Sequence, residues 1–263
     1  MRSWIKGLAR SGYAARGVVY VIIGFFAVLA AFGRSEVEGT EGALQALLRQ
    51  PFGTILVWFV AIGLAAFCVW RVVQAIRDTD NHGNEAKGIA IRAGLALGGL
   101  SYAAVALLAA AIATGSRSGS EQGGGGDPSG GWLAAIHQIG LGWLVVYGVA
   151  AILFAVGAAH IVKGLRAGFE KYFRCTEDVM AWLRPLARFG LIARGIVFLI
   201  IGSLVVRGGL AYNAEDEPGL LEALKAVQGY EQGWLILLVI ALGLVAFGLY
   251  SLAEARYRTV SPD

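Results

Sequence analysis

The feature that most constrains the fold is a segment that recurs along the chain. Residues 9–20 read Ala-Arg-Ser-Gly-Tyr-Ala-Ala-Arg-Gly-Val-Val-Tyr, and residues 187–198 read Ala-Arg-Phe-Gly-Leu-Ile-Ala-Arg-Gly-Ile-Val-Phe. A weaker copy, at 91–102, keeps the first arginine and two of the glycines. Repetition at a long, regular interval indicates one structural unit used several times. We therefore predict three repeats, over 9–78, 91–166 and 187–258.

Each repeat is predicted to be a pair of membrane-spanning helices. Hydrophobic residues make up 57% of the chain and charged residues 15%, whereas soluble domains carry about 25% charged residues. The apolar residues form runs of roughly 20, the length of helix that crosses a bilayer. The fold class is therefore all-α and polytopic, a single membrane domain over 1–263. Six spans are expected, near 13–32, 55–75, 94–113, 141–161, 190–207 and 234–252.

The first span has the basic start and apolar stretch of a signal peptide. Its recurrence near residue 190 argues against that interpretation, because a removable targeting segment has no reason to be copied inside the chain. We therefore expect the first span to be a retained helix.

The distribution of charge predicts an orientation. Of the 22 basic residues, 17 fall on the side that holds both ends of the chain and the loops 71–92 and 160–194. Basic residues in short loops stay in the cytoplasm, so both termini are expected there, in a bacterial inner membrane. The expected partners are anionic lipid headgroups on that side and subunits of a membrane complex. Nucleic acid is not expected, since the basic residues flank the spans and line no single stripe.

Because every repeat crosses the membrane twice, successive repeats begin on the same side. The simplest packing of such parallel repeats has a pseudo-threefold axis along the membrane normal. Short amphipathic stretches at 42–48, 131–136 and 219–224 suit helices lying at the interface, as elbows before the next span or as lids. The connection 164–187 is predicted to form a surface helix.

The pattern Ala-Arg-x-Gly-x-x-Ala-Arg-Gly, at 9–17 and again at 187–195, resembles the bacterial membrane family known as domain of unknown function 1206. The resemblance implies three copies of a paired transmembrane helix from about residue 9 to 258. It brings no catalytic residue and no substrate. The middle copy departs from the pattern, with Gly98 where the others have Arg16 and Arg194.

Basic residues at the start of the repeats are candidates for holding an anionic lipid headgroup or an acidic solute. An arginine near a helix end can extend to the headgroups, so simple anchoring at the interface is the competing interpretation. The candidate residues are Arg10, Arg16, Arg92, Arg188 and Arg194.

In the first helix of each repeat, glycines fall on a stripe of positions four residues apart, and a further glycine recurs beside that stripe. Small residues at this spacing let helix backbones approach closely in membranes, so a packing role is expected. The predicted packing positions are Gly12, Gly17, Gly24, Gly94, Gly99, Gly190, Gly195 and Gly202.

No motif of a known enzyme is present, and we expect no catalytic residue, metal site or cofactor. The loop 78–85 opens like a calcium loop, but its twelfth position is Ile89, where a bidentate glutamate is needed. Arg71, His160 and Ser251 correspond across the repeats, as do Gln74, Lys163 and Glu254 one turn later. These mixed polar positions are expected to be helix ends that reach water, so no carboxylate is expected deep in a span.

Two functions remain open. The first is a non-enzymatic accessory or scaffold subunit, or a protein that interacts with lipids. The second is a carrier or channel for a small anion with a pathway along the pseudo-threefold axis. A water-filled, arginine-lined axis favours transport, and a dry seam of small apolar residues favours a scaffold.

Overall fold

A computed structural model describes residues 2–33, 35–116, 142–211 and 220–259. The backbone in these ranges is almost entirely helical, and six helices are long and apolar enough to cross a membrane. The predicted all-α, polytopic fold class is therefore confirmed. The six long helices are α1 (Arg2–Ala31), α3 (Gly53–Arg77), α4 (Ala86–Ala113), α5 (Gly142–Leu165), α6 (Glu177–Ala211) and α8 (Gly233–Tyr257), and the two short ones are α2 (Thr40–Leu48) and α7 (Leu220–Gln228).

All of the long helices extend beyond the predicted spans at one side of the bundle. We call this the terminal side, because α1 begins and α8 ends there. The longest helix, α6, has 35 residues and starts 13 residues before the span predicted at 190. The surface helix predicted within 164–187 is not a separate element. A 3₁₀ turn (Glu170–Tyr172) is followed by α6, and Phe169 and Leu183 are buried beneath α8.

The long helices pack in a repeating pattern. The first helix of each predicted repeat lies against the second helix of another repeat, giving the interfaces α1–α8, α4–α3 and α6–α5. Within a repeat, α1 packs on α3 and α6 packs on α8. Over the described residues, α4 and α5 form no comparable interface. We call the gap that this leaves between α4 and α5, within the predicted middle repeat, the cleft.

Side-chain size explains why only the middle repeat is open. In the first repeat Gly63 lies directly against Ala15, and in the third repeat Gly243 lies against Ala193. The corresponding residues of the middle repeat are Leu97 and Ile152, which are 52% and 49% exposed. Small residues let two helices meet closely, and large residues at both positions prevent the same approach.

The opposite side of the bundle has an apolar core. Residues of α1, α3, α4, α6 and α8 meet there in one cluster of buried side chains, which includes Ile23, Val60, Ala109, Val197 and Leu244. The short helices α2 and α7 close this core through Leu44 and Leu224, which are fully buried. Their predicted role, as interfacial elbows or as lids, stays a prediction. The third predicted elbow, 131–136, lies outside the described residues.

A matched pair of alanine substitutions tests the cleft. A Cβ at Gly190 would collide with the backbone of Phe247, so Gly190→Ala is expected to destabilise the protein by about 1–3 kcal/mol. A Cβ at the corresponding Gly94 would meet open space, so Gly94→Ala should leave stability unchanged or slightly raised. Unfolding by dodecyl sulfate, followed by circular dichroism, measures both. Equal destabilisation by the two variants would show that the cleft is closed.

Candidate functional site

The repeated arginines of α1 and α6 point into the bundle. Arg16 is 4% exposed and Arg194 is 9% exposed, so neither reaches the headgroups as an interface anchor would. The burial of both side chains argues against the competing interpretation, simple anchoring at the interface. Aromatic rings stabilise both buried guanidinium groups, because a desolvated arginine is attracted to the face of an aromatic ring. Arg16 lies 5.0 Å from the Phe247 ring centroid, and Arg194 lies 4.4 Å from the same ring.

Arg16 is paired with a carboxylate from the other end of the chain. Its Nη2 forms an ion pair with Glu254 of α8, and its Nε donates a hydrogen bond to Ser251 Oγ at 3.1 Å. Glu254 is 3% exposed and also accepts a hydrogen bond from the Tyr250 hydroxyl at 3.1 Å. The first and last long helices are thus joined by a buried ion pair.

Arg258 extends this pairing to the loop between α3 and α4. Its Nη1 donates to Glu254 Oε1 at 2.7 Å, and its Nη2 lies 3.2 Å from Asp80 Oδ2. Gln74 donates to the same Asp80 oxygen at 3.0 Å. We call Arg16, Glu254, Arg258 and Asp80 the ion network. It connects α1, α8 and the α3–α4 loop on the terminal side.

The network corrects the expectation that the polar exit positions reach water. Gln74, Ser251 and Glu254 are all buried, with exposures of 1%, 0% and 3%. Glu254 lies in the last turns of α8, where sequence reasoning placed a helix end and dismissed a carboxylate inside the bundle. The alignment of the repeats contained a signal for this burial. It places polar residues one turn apart on the second helices, and these positions lie beside the arginines of the first helices.

Arg194 is only partly satisfied by its surroundings. Its Nη2 donates to the hydroxyl of Tyr102 in α4 at 3.1 Å. Its Nε and Nη1 are buried with no hydrogen-bond partner among the described residues. The neighbouring His160 ring lies 5.5 Å from Phe198, and its Nδ1 is 2.9 Å from the Val156 carbonyl oxygen. A buried donor without a hydrogen-bond partner destabilises the protein, so the binding of an anion or a water molecule beside Arg194 is favourable.

The charges near the ion network do not balance. Asp80 and Glu254 supply two negative charges, which the buried Arg16 and Arg258 match. Arg71, Lys163 and Arg194 add three positive charges nearby, and none of them forms an ion pair within the described chain. Arg194 is buried and Arg71 and Lys163 are half-buried, so this end of the bundle carries an excess of positive charge that attracts anions.

Arg92 and Arg188, two further candidates, have a structural role. Arg92 Nε donates to the carbonyl oxygen of Ala75 at 2.6 Å, and Arg188 Nη2 donates to that of Leu165 at 3.0 Å. Each arginine thereby caps the carboxyl end of the second helix of the preceding repeat, where the helix dipole favours a cation. The corresponding Arg10 is exposed and makes no such bond. The five candidate arginines therefore do not share one kind of contact.

Arg10 lies instead in a pocket of about 280 Å³ on the terminal side. We call it the cationic pocket. It is lined by Lys6, Arg10, Arg174, Arg256, Tyr257, Arg258 and Thr259.

Most of the predicted packing glycines lie against a neighbouring helix. A Cβ at Gly24 would come within 2.7 Å of Val245, and one at Gly195 within 2.7 Å of the Gly157 carbonyl oxygen. Gly94 is the exception, because it faces the cleft. The other glycines in close contact are Gly12 (Phe67), Gly17 (Leu252), Gly99 (Arg71), Gly190 (Phe247) and Gly202 (Phe154).

The Asp78 and Asp80 carboxylates of the loop 78–85 accept hydrogen bonds and form an ion pair within the protein. The side chain of Asp78 accepts backbone N–H bonds from His82 at 2.8 Å and Gly83 at 2.6 Å, which lowers the pKa of this carboxyl. Asp80 belongs to the ion network. The described residues contain no group of three His, Cys, Asp or Glu side chains that could hold a metal ion.

The fold and this site define an all-helical, multi-pass membrane protein with a buried ion network on one side. The family model "Domain of Unknown Function (DUF1206)" matches residues 11–78 and 189–258. A relative in Bacillus subtilis (strain 168), "Uncharacterized protein YxxB", is 33% identical over 262 residues, which is 98% of this chain and 92% of the relative. The chain belongs to the DUF1206 family. No solved structure matches it.

The family match covers the first and third predicted repeats and leaves the middle one unmatched. The threefold repetition therefore stays a prediction. The unmatched segment includes α4 and α5, the two helices that border the cleft.

Removing the Glu254 carboxylate from the ion network should destabilise the protein strongly. Glu254→Gln leaves Arg16 buried without an opposing charge, and breaking a buried ion pair costs about 3–5 kcal/mol. The measurement is again unfolding by dodecyl sulfate. The matched control is Glu170→Gln, whose carboxylate pairs with Arg184 near the surface, where both side chains are partly exposed. That control should change stability very little. Similar, small losses in both variants would contradict a stabilising role for the network.

Proposed function

We propose that this protein is a non-enzymatic accessory subunit of a complex in the bacterial inner membrane, with both chain ends in the cytoplasm. The observation that carries the proposal is the cleft between α4 and α5. Among the described residues, one of the interfaces that the other repeats form is absent there, so α4 and α5 present apolar faces without a described neighbour. Only 22% of α4 and 17% of α5 is buried over the most apolar stretch, against 39–56% for the other long helices.

The packing of the interior supports a static role over movement of a solute. Closely packed Ile, Val, Ala and Leu side chains fill the middle of the opposite side, where a pathway along the axis would have to pass. The ion network fixes α1 to α8 on the terminal side. A bundle closed in this way by its own side chains is suited to serve as a scaffold.

The cleft has the surface that a membrane helix requires. A Cβ at Gly94, Gly98 or Gly148 would meet no atom within 4 Å, so the backbones of α4 and α5 are accessible from the cleft. Helices associate in membranes through close packing on small residues, because lipid provides no hydrophobic driving force for association. We therefore propose that the occupant is a transmembrane helix of another protein.

Photo-crosslinking tests this occupant. A photoreactive phenylalanine analogue at Leu97 or Ile152 lies in the cleft, and the same analogue at Phe59 or Ile62 lies on the lipid-facing side of α3, where both residues are exposed. Irradiation of intact cells should give one discrete protein adduct from the cleft positions and none from the α3 positions. An adduct with a second copy of this chain would favour self-association. Lipid adducts alone, or the same protein adducts from all four positions, would contradict the proposal.

One observation favours the alternative, a carrier for a small anion. The two unpartnered nitrogens of Arg194 lie in a region with excess positive charge. For this function we expect chloride flux into proteoliposomes, and Arg194→Gln should abolish it. The control is Arg166→Gln, at an exposed position on the terminal side. Flux no greater than in protein-free liposomes would contradict the alternative.

A further inference from the structure

The cationic pocket is assembled from three separate parts of the chain. Lys6 and Arg10 come from the start of α1, Arg174 from the segment before α6, and Arg256 from the end of α8. Backbone pairing holds the last two parts together. The amide of Arg174 donates to the Tyr257 carbonyl oxygen at 3.0 Å, and the amide of Thr259 donates to the Tyr172 carbonyl oxygen at 2.8 Å. The pocket is therefore a defined feature of the fold.

The described residues of the lining contain five positive charges and no carboxylate. Only Arg258 is compensated, through its ion pairs with Glu254 and Asp80, and its Nε is still buried without a partner. The other four cations form no ion pair with any described residue. Like charges gathered in a concave site repel one another, and an anion relieves that repulsion.

Capping of a helix end does not account for Arg10. The arginines at its corresponding positions, Arg92 and Arg188, bond to the last carbonyl oxygens of α3 and α5. Arg10 stands beside the end of α8 and forms no bond of this kind. Its guanidinium is thus available to a ligand, together with that of Arg174.

We propose that the cationic pocket binds a phosphate group. A phosphate carries up to two negative charges and several acceptor oxygens, and arginine forks bind such oxygens in pairs. The volume of about 280 Å³ lies just below the range of about 300–1,000 Å³ typical of small-molecule sites, so it suits a phosphate with a small substituent. The phosphate belongs either to a lipid headgroup or to a soluble compound. The proposal is independent of the partner helix in the cleft.

Two triple variants with the same loss of charge test the proposal. The pocket variant is Arg10→Gln, Arg174→Gln and Arg256→Gln, none of which belongs to the ion network. The control variant is Arg77→Gln, Lys87→Gln and Arg166→Gln, at exposed positions on the terminal side outside the pocket. The lipid arm counts phosphatidylglycerol molecules retained by purified protein, using native mass spectrometry. The soluble arm titrates pyrophosphate into protein held in phosphatidylcholine nanodiscs, using calorimetry.

We expect the protein to bind its ligand in one of the two arms. The control variant should bind equally well, and the pocket variant should bind about 100-fold more weakly. Each basic residue near an anionic group contributes roughly fivefold to the affinity. Retention of phosphatidylglycerol identifies a lipid headgroup, and binding of pyrophosphate identifies a soluble ligand. Binding in neither arm, or equal loss in both variants, overturns the proposal. If the triple variant fails to fold, Arg10→Gln alone replaces it, with an expected loss of about fivefold.

Discussion

The buried pairing of Arg16 with Glu254 is the interaction on which the rest of the terminal side depends. A charge inside an apolar bundle is costly unless an opposite charge and hydrogen bonds accompany it. Glu254 meets that requirement for Arg16, and Asp80 does the same for Arg258. The pairings position the end of α8 against α1 and the α3–α4 loop. They also place the backbone segment after α8 where it forms one wall of the cationic pocket.

The first and third repeats resemble each other in packing as well as in sequence, and the middle repeat differs from both. Gly63 with Ala15 and Gly243 with Ala193 allow close helix contact, whereas Leu97 and Ile152 do not. The middle repeat also has Gly98 in place of an arginine, and Tyr102 from that repeat accepts a hydrogen bond from Arg194. Over the described residues, the predicted middle repeat thus forms no such interface between its own two helices, and it contributes a partner to the charge of α6.

Much of the fold could be predicted from the sequence, because the length of apolar runs and the recurrence of Ala-Arg-x-Gly are local signals. The burial of Arg16 and Arg194 could not, since the rings that enclose them come from distant helices. Glu254 was misjudged for the same reason: a position near a helix end looks solvent-accessible until its neighbours are known. The cationic pocket was missed because Arg174 and Arg256 share no spacing with Lys6 and Arg10. Only the pairing of two backbone segments brings these side chains together.

The sequence separation of the paired charges has a consequence for biosynthesis. Arg16 lies in α1, and Glu254 follows 238 residues later in the chain, near the end of α8. During insertion α1 therefore carries an uncompensated charge until α8 is made. The growing chain has to keep that guanidinium at the aqueous boundary, or shield it with the insertion machinery, until α8 arrives. Assembly of the terminal side is consequently completed by α8, and a chain truncated before Glu254 would lack the charge that α1 requires.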